Sequence, residues 1–159
     1  MITFILDLLQ NPLFVSAACG WFVAQSAKLI IYFIINKEFS WERIFGAGGM
    51  PSSHSATVCS LVVSTGIVYG ASGFELPMSI FFAFIVMYDA VGVRRETGEQ
   101  SKILNEMVQQ WFQKGNRLQS IDPMKQLKEF VGHTPMQVLI GALLGALIAV
   151  IVCLCMGYL

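Results

Sequence analysis

The segment MQVLIGALLGALIAVIVCLCMGY, residues 136–158, contains no Lys or Arg and is long enough to cross a bilayer as one helix. About 20 apolar residues in helical form span the roughly 30 Å of hydrocarbon. Similar apolar runs occur at 13–35, 55–72 and 77–93. The chain has 159 residues, of which 55% are hydrophobic and only 13% charged, and this composition excludes an ordinary soluble domain. We therefore predict a single all-α membrane domain, residues 1–159, with a bundle of about four transmembrane helices.

Basic residues are confined to the middle of the chain, between Lys28 and Lys128. With four spans, the connections 36–53 and 94–135 lie on the same side, and the positive-inside rule makes that side cytoplasmic. We therefore predict a multi-pass protein of the plasma (inner) membrane with both termini outside. No basic region precedes the first apolar run, which favours a retained span over a cleaved signal peptide. Ten basic and ten acidic residues cancel, and a net charge of zero says nothing about nucleic acid. The apolar composition predicts the lipid bilayer as a partner, and we expect no nucleic acid.

The segment 94–135 is too long for a plain loop, and its apolar pattern is helical. Apolar residues recur at steps of one, three and four from Ile103 to Phe112, which predicts an amphipathic helix. A second is predicted from Asp122, with Pro123 at its first position, to Gly132. We expect both helices to lie along the cytoplasmic membrane interface, packed on the bundle or on lipid.

The sequence GALLG at 141–145 is a GxxxG pattern, which is typical of closely packed membrane helices. We favour packing within the chain, and the alternative is a homo-oligomer formed through Gly141 and Gly145. The four cysteines lie inside apolar runs without His or carboxylate neighbours at ligand spacing. They are therefore interpreted as packing residues, and we expect neither a disulfide nor a metal site.

A glycine-rich turn, GGMPSSH at residues 48–54, stands at the start of an apolar helix. Exposed N–H groups and the positive end of a helix dipole favour an anion at such a position. Lys28 and Asp89 lie inside apolar segments, where charge is costly and usually functional. Three interpretations stay open: an ion pair between these two residues, a lysine that snorkels to the membrane interface, or a lysine that reaches a bound phosphate.

His54 and His133 are the chain's two histidines, and each stands at the entry to an apolar helix. Thr134 is a good N-cap, and Gln137 completes a capping box with it. The predicted topology brings both helix starts to the same face. One imidazole would then attack phosphorus to form a phosphohistidine, and the other would protonate the leaving oxygen. Lys28, an arginine and the N–H groups of Ser52 and Ser53 would hold the phosphate oxygens, with no metal or cofactor.

Residues 51–54, PSSH, resemble the Pro-Ser-Gly-His motif of the type 2 phosphatidic acid phosphatases and the related vanadium haloperoxidases. Three segments are similar to a divergent bacterial and plant branch of that superfamily. They are residues 48–56, the segment DAVGVRR at 89–95 with Gly98, Gln100 and 104–105 following, and GHTP at 132–135. Several separated motifs in the same order cover most of the chain.

The resemblance implies that His54 is the general acid and His133 the nucleophile, and that the turn from Gly49 through Ser52 and Ser53 binds phosphate. Lys28 stands for the lysine of the superfamily's first motif. In the superfamily an Arg-Pro pair follows this lysine, but none follows Lys28. Arg43 is a candidate for the missing arginine by its position only.

Two further departures concern the third motif. Gln126 stands where the superfamily has arginine, so Arg94 or Arg95 would supply that charge. Gln137 stands where it has the aspartate that orients the nucleophilic histidine, and Asp89 is the candidate to supply the missing carboxylate. Loss of such a carboxylate can cost about 10⁴ in rate.

The leading functional hypothesis is therefore a metal-independent phosphatase for a membrane lipid phosphate, either phosphatidate-like or a polyprenyl phosphate or pyrophosphate. The alternative is a non-catalytic phosphate-binding or lipid-transport protein with a degenerate site, which Gln137 favours. A structural or assembly protein that uses the GxxxG pattern and the amphipathic helices is the third hypothesis.

Overall fold

The computed structural model describes residues 1–37, 49–113, 127 and 132–159. Within these ranges the chain forms helices and no strand, which confirms the predicted all-α class. In chain order the helices are α1 (Ile2–Leu9), α2 (Pro12–Asn36), α3 (Ser53–Tyr69), α4 (Glu75–Val91), α5 (Val93–Gln113) and α6 (Pro135–Cys155).

Among the described residues, three stretches of helix are long and apolar enough to cross a membrane. They are α2, the run Glu75–Gln113 that α4 and α5 form together, and α6, and they contain most of the predicted spans at 13–35, 77–93 and 136–158. With 17 residues, α3 is about 25 Å long at the helical rise of 1.5 Å per residue. The predicted span at 55–72, and with it the count of four, stays a prediction.

Helix α3 lies at the centre of the bundle, and α2, α4 and α6 all pack against it. Most of its buried side chains are small: Ser53, Ser55, Ala56, Val58, Ser60, Ser64 and Thr65. Three of their hydroxyls, those of Ser60, Ser64 and Thr65, donate to helix carbonyl oxygens, and Ser60 Oγ reaches the carbonyl oxygen of Gly145 at 2.8 Å. Small residues allow close backbone approach, and these hydrogen bonds satisfy groups that would be costly to bury alone.

The GxxxG pattern of α6 packs against the start of α3. A Cβ added to Gly141 would overlap the carbonyl oxygen of Ser52, and one added to Gly145 would overlap that of Ala56. Both glycines are buried. The pattern therefore packs against α3 within the chain, as we favoured.

Helix α5 is an amphipathic helix in the predicted segment 94–135, and its apolar side chains, including Met107 and Trp111, are exposed. The second predicted amphipathic helix, from Asp122, falls on residues outside the described ranges. Helix α1 has no counterpart among the predicted elements. It is separated from α2 by Asn11, whose side chain caps α2 by accepting hydrogen bonds from the backbone N–H groups of Leu13 and Phe14.

The first turns of α3 and α6 lie side by side. Thr134 and Gln137 form the capping box that their spacing predicts. Ser52 caps α3 by accepting a hydrogen bond from the backbone N–H of Ser55 at 3.3 Å. The backbone N–H of Ser52 donates to the carbonyl oxygen of Gln137 at 3.1 Å, which joins the two helix starts at one end of the bundle.

Candidate active site

The two histidines face each other between the starts of α3 and α6. Nδ1 of His54 lies 3.4 Å from Nε2 of His133. The ring centroids are 5.6 Å apart, and the ring planes meet at 67°. The structure therefore brings together the imidazoles to which we assigned the two roles of an acid and a nucleophile.

Gln137 holds the other nitrogen of His133. Its Oε1 lies 3.3 Å from Nδ1 of His133 and accepts a hydrogen bond from the backbone N–H of Thr134 at 3.1 Å. Because that N–H can only donate, the amide oxygen is the atom that faces the ring, and Nδ1 of the neutral imidazole carries the proton. Nε2 then presents its lone pair to His54. Gln137 thus orients the ring as an aspartate would, but without its charge.

The chain that carries His133 is fixed by the end of α4. The backbone N–H of His133 donates to the carbonyl oxygen of Ala90 at 3.0 Å. Gly132 has φ +94°, and a Cβ there would overlap the backbone nitrogen of Arg95. Glycine adopts this conformation without the steric cost that a side chain brings. The motifs at 89–95 and 132–135 are therefore packed against each other.

Lys28 reaches the site from α2, and it is only 4% exposed. Its Nζ lies 3.5 Å from Oγ of Ser53, at the long limit for a hydrogen bond. Its aliphatic stem lies beneath Gly49, whose φ is +96° and where an added Cβ would lie 3.3 Å from Lys28 Cγ. A glycine at this position therefore lets the turn close over the lysine.

Ser52 is committed to the fold, which corrects our prediction that its N–H would hold a phosphate. That N–H donates to Gln137, and the Ser52 hydroxyl accepts from Ser55 through both its N–H and its Oγ. Ser52 is also fully buried. In the described ranges, the N–H groups of Ser53 and His54 make no hydrogen bond, so they are the donors that the first turn of α3 offers to an anion.

Asp89 pairs with Arg94, with 2.5 Å between Oδ2 and Nε. Both side chains are more than two-fifths exposed. The ion pair that we considered between Lys28 and Asp89 is therefore not formed. Three charged side chains lie close enough to act on His54: the cations Arg94 and Lys28 and the carboxylate Asp89. The surroundings of His54 are therefore more cationic than anionic.

Arg95 is not brought into this cluster. The backbone of Arg95 lies against Gly132 while its side chain is exposed. Arg43 lies outside the described residues. Arg94 is therefore the predicted arginine whose charge reaches His54 in the part of the chain that the structure describes. Within that part, no group of three or more His, Cys, Asp or Glu side chains could hold a metal ion.

Burial lowers the pKa of His133 from its ordinary 6.5 to about 4. The hydrogen bonds with the Gln137 side chain and the Gly49 backbone oppose this shift, while the charges of His54 and Lys28 add to it. His133 is therefore neutral at pH 7 with a lone pair on Nε2. That is the state in which an imidazole acts as a nucleophile.

Asn105 of α5 is a supporting residue to which we assigned no role from the sequence, where it stood only within the motif resemblance. Its side chain holds Leu127 at both backbone groups, accepting from N–H at 2.9 Å and donating to the carbonyl oxygen at 3.0 Å. Leu127 lies six residues before His133. Asn105 therefore anchors the chain that leads into the site, a contact between distant residues that no local pattern indicates.

The fold and the site define a helical membrane protein with a polar, two-histidine pocket at one end of its bundle. The chain belongs to the Divergent PAP2 family, whose profile matches residues 9–148. It is 34% identical over 152 residues to the uncharacterised membrane protein YuiD of Bacillus subtilis (strain 168), covering 92% of this chain and 96% of YuiD. No solved structure matches the chain.

Proposed function

We propose that this protein is a membrane lipid-phosphate phosphatase that acts through a phosphohistidine on His133. The observation that carries the proposal is the direct approach of His54 Nδ1 to His133 Nε2, with Nδ1 of His133 held by Gln137. This contact supports the pairing of a neutral nucleophile with a second imidazole, to which we give the role of proton donor. Membership of the Divergent PAP2 family supports phosphatase-related chemistry.

The reaction has two displacement steps. Nε2 of His133 attacks phosphorus, a nitrogen–phosphorus bond forms, and the bond to the leaving oxygen breaks as His54 gives that oxygen its proton. Water then attacks the phosphohistidine while His54 takes a proton from it, and inorganic phosphate and neutral His133 are released. At 3.4 Å the imidazoles touch, so a substrate phosphoryl group separates them as it binds.

Cationic and N–H donors surround the place that the phosphate would take. Lys28 brings a buried positive charge beside Ser53, and the N–H groups of Ser53 and His54 lie at the positive end of α3. The pocket lies at one end of apolar helices, which favours a substrate whose phosphate sits at the bilayer surface. We place this end on the cytoplasmic face of the plasma membrane, with both termini outside, because the basic residues flank it.

A second candidate function is phosphate-headgroup binding without turnover. It is favoured by Gln137, which orients His133 but brings no negative charge to stabilise the imidazolium that forms during transfer. Such a protein would bind or transport a phospholipid with the same residues. Both candidates require Lys28. Only the phosphatase also requires His133 to accept the phosphoryl group and His54 to donate and take up a proton.

Phosphate release from phosphatidate, polyprenyl phosphate and polyprenyl pyrophosphate by purified protein separates the two functions. We expect His133→Ala and His54→Ala to abolish release, and Lys28→Met to weaken it mainly through the substrate concentration needed. Ser26→Ala, two residues from Lys28 on α2 with a hydroxyl bonded to its own helix, is the matched control and should match the wild type.

Trapping adds a direct readout. Brief reaction with ³²P-labelled lipid phosphate followed by alkaline quenching should label wild-type protein and not His133→Ala. Equal release from wild type and both histidine variants would overturn the phosphatase proposal. Retained, Lys28-dependent lipid binding in that case would support the binding function.

A further inference from the structure

An apolar groove lies on the bundle far from the two histidines. Its volume is about 230 Å³, and its lining comes from α2, α3 and the N-terminal half of α4: Leu13, Leu61, Thr65, Phe74, Glu75, Met78, Ser79 and Phe82. An engineered apolar cavity of about 150 Å³ holds benzene, so this volume suits roughly nine carbon atoms. The groove is therefore the size of part of one hydrocarbon chain.

The groove and the active site lie on the same face of α3. Leu61 is seven residues after His54 and Thr65 eleven, which at about 100° per residue places both within about 20° of His54 around the helix. At a rise of about 1.5 Å per residue, Leu61 is about 10 Å from His54 along the axis and Thr65 about 16 Å. The face of α3 that carries His54 therefore also carries the two groove residues Leu61 and Thr65.

This face lies between α2 and α4. Both helices pack on α3, while the backbones of their described residues stay apart from each other, so α3 forms the floor of the seam between them. Lys28 on α2 and Asp89 on α4 flank the seam at the end where both charges act on His54. Leu13 and Met78 flank it at the groove. The seam is thus polar where a phosphate would bind and apolar further along.

We propose that this seam binds the hydrocarbon chain of the lipid phosphate whose headgroup occupies the active site. The inference rests on the proposed function for the headgroup and adds the substrate class: a phosphate ester with at least one long, unbranched or isoprenoid chain. The occupant is the substrate's own chain because the groove continues the face of α3 that carries His54.

The distances from His54 to Leu61 and Thr65 set the length of hydrocarbon chain that the lipid needs to reach the groove. A full-length acyl chain of about 16 carbons covers roughly 15 Å, half of the hydrocarbon thickness of a bilayer, and reaches the groove. A six-carbon chain in proportion covers about 5 Å and ends before Leu61. Long-chain phosphatidate should therefore engage the groove, and dihexanoyl phosphatidate should not.

A photoreactive phosphatidate with a diazirine at the end of a long acyl chain, that of palmitate, tests this placement in phosphatidylcholine vesicles. We expect crosslinks on the groove residues of α3 and α4, Leu61, Met78 and Phe82. Excess dipalmitoyl phosphatidate should suppress these crosslinks, whereas dipalmitoyl glycerol, with the same chains and no phosphate, should not. Equal suppression by both competitors would show an ordinary lipid-facing surface and overturn the proposal.

Two substitutions on α4 form a matched pair for turnover. Met78 lines the groove and is 65% exposed, and Phe81 is 69% exposed but does not line it. Met78→Trp should lower kcat/KM for dipalmitoyl phosphatidate by about tenfold, the lower range for misfit of one methylene in an apolar pocket. It should leave dihexanoyl phosphatidate unchanged, and Phe81→Trp should change neither. Equal losses on both substrates would contradict the groove.

The two proposals fail in different ways. Phosphate-dependent crosslinking in the groove without any phosphate release would refute the phosphatase and leave the chain site standing. Phosphate release that is the same for short and long chains, with crosslinks spread over α2, α4 and α6, would refute the chain site and leave the phosphatase standing.

Discussion

Replacement of Gln137 by glutamate places a carboxylate on His133 without disturbing the helix start. Glutamate and glutamine are equally long, and either residue completes a capping box with Thr134. In Gln137→Glu a carboxylate oxygen would therefore keep both partners of the present amide oxygen, Nδ1 of His133 and the N–H of Thr134. Aspartate at this position, the residue that the superfamily pattern suggests, is one methylene shorter and would reach the capping position less well.

The expected effect on His133 is a higher pKa. Opposite charges at the present separation of 3.3 Å attract by about 5 kcal/mol at an effective dielectric constant of about 20. Burial of the new carboxylate offsets part of this, and an opposite charge at such range commonly shifts a pKa by about 1 to 3 pH units. The pKa of His133, now held near 4 by burial, should therefore rise by that amount.

Phosphatase activity should rise with it, because the carboxylate stabilises the imidazolium that accompanies transfer. The gain in kcat is bounded by the factor of about 10⁴ that loss of an orienting carboxylate costs in a comparable site. Only neutral His133 attacks phosphorus, so the acid limb of the kcat/KM profile lies near the pKa of that residue. It should move to higher pH in Gln137→Glu by the same interval as the pKa.

Nuclear magnetic resonance titration of the imidazole measures the pKa directly, and assignment is simple because the chain has two histidines. Gln137→Leu is the control: it removes both hydrogen bonds and should lower activity without raising the pKa. An unchanged or lower pKa of His133 in Gln137→Glu would refute the inferred contact. A raised pKa without any gain in activity would refute the role that we give to charge at this position.

Three further predictions concern the scaffold. Alanine at Gly132 would meet two costs, the positive φ, about 1 to 2 kcal/mol, and an overlap with backbone atoms, whereas alanine at Gly157 would meet the conformational cost alone. Thermal unfolding in detergent should therefore show a larger loss of unfolding temperature for Gly132→Ala than for Gly157→Ala. Gly145→Ala should lower the unfolding temperature through overpacking of about 1 to 3 kcal/mol, while Gly66→Ala, with ordinary contacts, should not. Asn105→Ala should accelerate hydrogen exchange at the backbone N–H that it binds, and equal rates would contradict the anchor.

Much of the fold could be predicted from short-range sequence patterns. Apolar runs and capping residues are short-range properties, so the sequence predicted α2, α4 and α6 to within a few residues, and the box at Thr134 and Gln137 followed from spacing alone. Helix α1 escaped prediction because its eight residues, Ile2–Leu9, are too few to span a bilayer. The glycines of α6 predicted close packing against another helix, but the sequence pattern did not identify that helix as α3.

The sequence by itself determined an all-helical membrane protein with His54 and His133 at two helix starts, because hydropathy and capping depend on neighbouring residues. Only the tertiary structure decided the partners: Ser52 joins the scaffold, Asp89 pairs with Arg94 rather than with Lys28, and the imidazoles come within 3.4 Å. Most of these contacts join residues from different helices. Their geometry depends on how α3 packs among its neighbours, which no local pattern encodes.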